Sequence, residues 1–106
     1  MKRLRFFRSD EFSDWMFGLD PAFANNVAEC IKRISRTGQF PNTCGPLQDA
    51  DGIHEMRFDV GPGHRVYYCR YGSIIYLLLA GGSKKNQKSD IKKAKDIKRR
   101  YFGGSK

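Results

Sequence analysis

Apolar and polar residues in the first half of the chain follow a pattern that predicts one short strand and two helices. Leu4 and Phe6 alternate with arginines, which is typical of a strand with one buried face. Apolar residues then recur at helical spacing, first in residues 12–19 and again in residues 23–34. A helical hairpin packed on a sheet would bury both stripes. The residues that suit the ends of these helices are Ser9 or Asp10, Pro21 and Gly38.

Two alternating segments joined by Gly61-Pro62-Gly63 predict a β-hairpin in the second half of the chain. Side chains alternate between faces along a strand, so each segment has one apolar and one polar side. The apolar side carries Met56, Phe58, Val60, Val66 and Tyr68. The polar side carries Glu55, Arg57, Asp59, Arg65 and Tyr67. The two arginines therefore share one face of the predicted sheet.

The rest of the second half predicts a buried strand and a basic helix. Residues 73–80 are apolar on both faces, as in a central strand, and Gly81-Gly82 is expected to end it. The helix is expected to begin near Ser89-Asp90. Residues 38–52 contain several glycines and prolines and predict a loop. Together these elements predict a single α+β domain over residues 1–106, with an antiparallel sheet, an N-terminal helical hairpin packed on it and a C-terminal basic helix.

The net charge of +9 is distributed unevenly along the chain. Residues 1–53 contain 7 Lys/Arg and 7 Asp/Glu, whereas residues 54–106 contain 13 Lys/Arg and 4 Asp/Glu. All of the excess positive charge therefore lies in the half that carries the β-hairpin and the basic helix. Such one-sided charge indicates an anionic partner, namely nucleic acid, an acidic protein or an anionic membrane surface.

The sequence carries no signal for export or metal binding. No long apolar run follows Met1-Lys2-Arg3, so no signal peptide is expected, and the apolar run 74–80 is far too short to span a bilayer. Cys30, Cys44 and Cys69 are odd in number and lack paired spacing, which favours reduced thiols in the cytoplasm. The cysteines and histidines also lack the spacing of zinc ligands, so neither a metal nor a cofactor is expected.

The arginines of the β-hairpin form a candidate phosphate site. If Arg57 and Arg65 lie on paired strands about 5 Å apart, their side chains can grip one phosphate between them. Arginine presents a planar fork that binds phosphate oxygens in pairs. Lys84, just beyond the two glycines, is a third candidate cation. Such a cluster could bind an RNA backbone and stabilise the charge that develops when a ribose 2′-hydroxyl attacks its own 3′-phosphate.

Three residues near the arginines are candidates for acid and base. His64 titrates near neutral pH, and nearby cations should lower its pKa, although strand alternation would point it to the opposite face. Tyr67 shares the face of the arginines and could stack on a base or donate a proton. Glu55 lies on the same face and could act as the base or orient an arginine through an ion pair. A structural alternative is a cross-strand ladder in which Glu55 and Asp59 pair with both arginines.

The predicted basic helix offers further positive charge. Its lysines could lie along RNA or DNA, form a solvated face, or meet an acidic protein partner. The candidates for RNA binding are Lys85, Lys88, Lys92 and Lys95.

Three runs of sequence together resemble a known protein family. They are GIHEMRFDVGPGHRVYY, IIYLLLAGGSKKNQ and SDIKKA. Their order, after a strand and a helical hairpin, resembles the RelE/ParE superfamily of type II toxin–antitoxin toxins, and within it the HigB-like addiction-module killer proteins. The resemblance extends from Lys2 to about Arg100. The sequence departs from the family pattern at His64, where tyrosine is usual, and in its longer Phe40–Asp51 loop.

The resemblance implies a RelE-like mRNA endoribonuclease that acts in the ribosomal A site and is neutralised by a cognate, HigA-like antitoxin. It implies that Arg57 and Arg65 bind phosphate and stabilise the transition state, with Lys84 as a third cation. Gln87 and Asp90 also match the family pattern, and Asp90 is expected to cap the last helix. Operator DNA could be bound through the toxin–antitoxin complex, and no membrane is implied. Two alternatives remain open: a ParE-like toxin that inhibits DNA gyrase without cutting RNA, and a degenerate antitoxin- or DNA-binding protein.

Overall fold

The computed structural model describes residues 3–59 and 63–103, which form a five-stranded sheet with helices on both faces. A single 3₁₀ turn, Lys84–Asn86, joins the last strand to the last helix. The predicted α+β class, the helical hairpin and the final basic helix are confirmed. The elements are β1 (Arg5–Arg8), α1 (Asp10–Phe17), α2 (Pro21–Thr37), β2 (Cys44–Pro46), β3 (His54–Phe58), β4 (His64–Arg70), β5 (Ile75–Ser83) and α3 (Gln87–Tyr101).

The sheet is mixed, whereas the sequence pattern predicted an antiparallel one. Its strands lie in the order β1-β5-β4-β3-β2, and β1 pairs with β5 in parallel while all other neighbours are antiparallel. Two helices and three strands separate β1 from β5 along the chain. A connection of that length can bring two strands side by side in the same direction, which a tight turn cannot do.

Each face of the sheet has its own hydrophobic core. On one face, which we call the hairpin face, α1 and α2 bury Phe12, Val27 and Ile34 against the sheet. On the other, which we call the α3 face, the last helix buries Ala94 and Ile97. None of the helices in the described ranges is both long and apolar enough to cross a bilayer.

The ends of the first two helices follow the predicted signals. The Ser9 hydroxyl accepts a 2.9 Å hydrogen bond from the amide of Phe12 and caps α1. The same hydroxyl donates a 2.6 Å bond to the carbonyl of Leu79, which ties the start of α1 to β5. Gly38 ends α2 with a φ of 74°, a conformation that glycine adopts without strain.

The expectation that Gly81-Gly82 ends the buried strand is wrong, because β5 continues through both glycines to Ser83. A Cβ atom at Gly81 would overlap the indole ring of Trp15, and one at Gly82 would overlap the carboxylate of Asp90. The glycines are therefore needed for close packing on the two faces of the sheet rather than for a turn. Neither contact can be read from the local sequence, since Trp15 and Asp90 come from other elements.

Two other boundaries differ from the prediction. The last helix begins at Gln87, and its N-cap is Asn86, so Asp90 lies inside the first turn rather than capping it. The segment 38–52 is not wholly a loop, because Cys44–Pro46 adds a short edge strand to β3. Val60 and the Gly61-Pro62 part of the predicted turn lie outside the described residues.

Candidate functional site

Arg57 and Arg65 are direct cross-strand partners on the α3 face. Arg57 of β3 pairs with Arg65 of β4, and Arg65 in turn pairs with Gly82 of β5. Arg57, Arg65 and Gly82 thus form a row across three strands. Because Gly82 has no side chain, the Asp90 carboxylate of α3 occupies the space at the end of this row. The predicted neighbourhood of the two arginines is therefore present, and α3 covers one side of it.

The two arginines are joined to carboxylates in a ladder, the structural alternative that the sequence had left open. Arg65 lies between Asp59, at 3.1 Å from Nη1 to Oδ1, and Glu55, at 3.6 Å from Nε to Oε1. Arg57 reaches Glu55 at 3.9 Å. Gln87 of α3 donates a 3.3 Å hydrogen bond to Glu55. The cluster is thus much less positive than two arginines alone would make it.

Exposure differs sharply between the members of this cluster. The side chain of Arg65 is 8% exposed and that of Glu55 14%, whereas Arg57 is 39% and Asp59 61% exposed. Glu55 forms ion pairs with both arginines, in line with one of the two roles expected for it. Its oxygens are engaged by Arg57, Arg65 and Gln87, so a role as free base is not supported by this arrangement.

Lys84 lies at the same end of the sheet as the arginines. Its amide donates a 2.7 Å hydrogen bond to the carbonyl of Gly63, which extends the pairing of β4 and β5 by one step. The aliphatic part of its side chain lies close to Gly63, where an added Cβ would be 3.3 Å away. The lysine is exposed and makes no ion pair with any residue of the described ranges. It therefore remains a free cation beside the ladder.

His64 lies on the hairpin face, away from the arginines. Its ring centroid is 4.1 Å from that of Phe23 and 6.2 Å from that of Trp15. Its pKa is lowered, as expected, but the cause is burial among these rings rather than neighbouring cations. The candidate role of His64 as the base for the arginine cluster is therefore not supported, because strand alternation turns it to the other side of the sheet.

Tyr67 shares the face of Arg65, as expected, but it is completely buried under α3. Burial raises the pKa of its hydroxyl strongly, and the nearby carboxylates of Asp90 and Glu55 add to the rise. The hydroxyl has no hydrogen-bond partner within the described part of the chain. Stacking of Tyr67 on a nucleobase is therefore wrong for this conformation, and proton donation would require α3 to move.

Asp90 is a feature of the site that the sequence pattern misassigned. Its carboxylate covers Gly82, its Oδ2 atom is buried without a hydrogen-bond partner among the described residues, and burial raises its pKa. The signal that could have revealed it is Gly82 itself, since a missing side chain beside charged residues indicates a close approach from another element.

The four candidate lysines are exposed or partly exposed at the start of α3. Lys88, Lys92 and Lys95 follow helical spacing and share one side of the helix, while Lys85 lies in the preceding 3₁₀ turn. None of the four has an ion pair within the described ranges, in contrast to Arg100, which binds Glu11 of α1 at 2.7 Å. The three lysines of α3 thus form a side of unpaired positive charge on the helix whose Gln87 contacts the arginine ladder.

Comparison with solved structures identifies the fold. The chain is similar to a free arginine-to-alanine double mutant of the Escherichia coli toxin RelE, with a TM-score of 0.68 and 9% identity over 92% of this chain and 97% of RelE. It is also similar to a chain of the RelBE2 toxin–antitoxin complex of Mycobacterium tuberculosis, with a TM-score of 0.61 and 16% identity over 77% of this chain and 99% of that one. The protein therefore has the RelE toxin fold, and the predicted RelE-like fold is confirmed.

Sequence comparison adds one relative of unassigned activity. The chain is 39% identical over 84 residues to an uncharacterized protein of Haemophilus influenzae. The alignment covers 79% of this chain and 82% of that protein. The chain belongs to the same family as this Haemophilus influenzae protein. No family model matches the sequence.

Proposed function

We propose that the protein is the toxin of a type II toxin–antitoxin system and that it acts as an mRNA endoribonuclease. The observation that carries the proposal is the direct pairing of Arg57 with Arg65, beside the unpaired Lys84, on a chain with the RelE toxin fold. A phosphate at the open edge of this cluster would meet Arg57 and Lys84 first, because both are more exposed than Arg65. Its non-bridging oxygens would accept hydrogen bonds from them.

The proposed reaction is attack of a ribose 2′-hydroxyl on the adjacent 3′-phosphate. The bond from O2′ to phosphorus forms as the bond from phosphorus to O5′ breaks, the 2′-hydroxyl gives up its proton and O5′ takes one up, which leaves a 2′,3′-cyclic phosphate and a 5′-hydroxyl. Positive charge at the non-bridging oxygens stabilises the pentacoordinate transition state, and this charge is what Arg57, Arg65 and Lys84 would supply. The three groups would also hold the attacking and leaving oxygens in line.

The cluster does not readily supply a general acid or a general base for this reaction. Glu55 is engaged by two arginines, Tyr67 is buried, and His64 lies on the opposite face. We therefore propose a ribosome-dependent enzyme, in which the surroundings of the bound messenger complete the site. The unpaired lysines of α3, Lys85, Lys88, Lys92 and Lys95, would hold the protein on RNA in the cytoplasm.

The proposed partner is a cognate antitoxin protein. The RelBE2 neighbour is part of a toxin–antitoxin complex, which supports a similar arrangement for this chain. Membership of the HigB-like group, with a HigA-like antitoxin and operator DNA bound through the complex, stays a prediction from the sequence motifs. An antitoxin gene beside the gene for this protein would support it.

A second candidate is a toxin that binds its target without cutting RNA, as ParE-type inhibitors of DNA gyrase do. One observation favours it: Arg65 is held by two carboxylates, so the positive charge expected of a nuclease site is largely offset. A degenerate protein that binds only antitoxin or DNA would carry the same ladder.

Inducible expression with mapping of transcript 5′ ends at early times tests the proposal. The wild type is compared with Arg57→Ala and with Arg33→Ala, which removes an exposed arginine from α2 on the other side of the molecule. We expect new cuts in translated messages from the wild type and from Arg33→Ala but not from Arg57→Ala. Growth arrest without cuts would favour the gyrase alternative, and absence of arrest would favour the degenerate one.

A further inference from the structure

The anion-binding position of Arg65 is already filled by a carboxylate of the same chain. We propose that Asp59 stands in for the RNA phosphate on Arg65 in the free protein and so sets the affinity of the site for an anion. The Nη1 atom of Arg65 is 3.1 Å from Oδ1 of Asp59, a direct charge-assisted hydrogen bond. The anion that displaces it is taken to be a phosphodiester, which rests on the proposed function.

The two carboxylates on Arg65 differ in how firmly they are held. Glu55 is nearly buried and is contacted by Arg57, Arg65 and Gln87, so its removal would leave several groups without a partner. Asp59 is 61% exposed and pairs with Arg65 alone among the described residues. Asp59 is therefore the carboxylate that an incoming anion can replace at low cost, because its own charge would return to water.

The position of Asp59 fits this exchange. It directly follows the last residue of β3, next to the pair formed by Arg57 and Arg65, and lies at the exposed side of an otherwise buried guanidinium. Carboxylate and phosphate oxygens accept hydrogen bonds from arginine in the same forked geometry. An anion that approaches Arg65 from solvent would therefore meet Asp59 first, and the two would compete for the same donors.

Affinity for a nucleic acid that cannot be cleaved tests this competition. The probe is a fluorescein-labelled hexauridylate with every 2′-hydroxyl methylated, titrated by anisotropy at low salt. Asp59→Asn removes the competing charge, and Glu29→Gln is the matched control because it removes a similarly exposed carboxylate that pairs with Lys32 on α2, away from the site. Both variants change the net charge by one unit. We expect Asp59→Asn to bind the probe about two- to fivefold more tightly than Glu29→Gln, the worth of an exposed ion pair.

Two further variants tie the effect to Arg65. Asp59→Glu keeps the charge and should bind the probe like the wild type. The gain from Asp59→Asn, measured against the matching Asp59 protein, should be smaller in an Arg65→Lys background than in the wild type, because lysine lacks the Nη1 donor for which the two anions compete. Equal affinity of Asp59→Asn and Glu29→Gln would overturn the proposal, as would a loss of thermal stability in Asp59→Asn without any gain in affinity.

The outcome is separable from that of the proposed function. A specific gain in Asp59→Asn without RNA cuts in cells would support the role of Asp59 and count against the nuclease. RNA cuts that require Arg57, together with equal probe affinity of Asp59→Asn and Glu29→Gln, would support the nuclease and overturn the role of Asp59.

Discussion

Arg57 and Arg65 face each other across β3 and β4, yet 39% of the Arg57 side chain is exposed and only 8% of the Arg65 side chain. Their ion pairs differ as well, since Arg65 contacts both Glu55 and Asp59 while Arg57 has one long contact to Glu55. The same residue type in equivalent cross-strand positions therefore has two physical roles. Arg57 is available to a ligand from solvent, and Arg65 also holds the site together.

Alanine substitution should separate these roles. Arg57→Ala should reduce RNA cleavage roughly 10²-fold, the usual cost of one transition-state donor. Its free energy of unfolding should change by less than about 1 kcal/mol, because an exposed ion pair contributes little. Arg65→Ala should reduce cleavage similarly and also cost about 1–3 kcal/mol of stability, since Glu55 loses a partner inside the protein. Single-turnover cleavage and urea denaturation check both effects. Wild-type cleavage by folded Arg57→Ala would contradict the assignment.

The two glycines at the end of β5 should resist substitution. Gly81→Ala would push against Trp15, and Gly82→Ala against Asp90, so each should lower the free energy of unfolding by about 1–3 kcal/mol. Gly45→Ala in β2 is the control, because an added Cβ there meets no atom within 4 Å. Urea denaturation of the three variants measures the difference. Equal stability of all three would show that β5 can move away from both neighbours.

His64 should matter for folding rather than for cleavage. Its pKa is lowered by burial, so the unfolded chain takes up a proton first as the pH falls. The buried, neutral imidazole therefore contributes its full stability above the pKa of histidine in the unfolded chain, about 6.5. This contribution is lost as the pH falls below that value. His64→Phe should retain cleavage within about threefold of the wild type, because the ring does not reach the arginines, and should flatten the stability profile between pH 7 and 5. A large loss of cleavage in a stable His64→Phe protein would restore the catalytic role.

The lysines at the start of α3 should determine the salt dependence of RNA binding. Lys88→Ala and Lys92→Ala should each reduce the slope of log affinity against log salt by about 0.7, the value for one lost phosphate contact on a single strand. Lys32→Ala on α2 should leave the slope unchanged, since it lies on the other side of the sheet. Binding isotherms between 50 and 200 mM salt provide the measurement. A slope that is the same in all three variants would remove α3 from the RNA-binding surface.

Local periodicity was enough to predict most of the elements and the face on which each side chain lies. Alternation along β3 and β4 correctly grouped Arg57, Arg65 and Glu55 and separated them from His64, because the side-chain direction in a strand depends only on parity. The helix stripes and the capping residues Ser9 and Gly38 were also local signals.

The state of each side chain depended on contacts between distant segments. Tyr67 is buried because α3 lies over it. Gly81 leaves room within β5 for the indole ring of Trp15, which comes from a helix about sixty-five residues earlier in the chain. The positive charge of Arg65 is offset because the pairing register of β3 and β4 brings Glu55 and Asp59 close to it. Periodicity encodes direction, whereas burial and ion pairing depend on which elements pack together, and that information is not contained in any one stretch of the sequence.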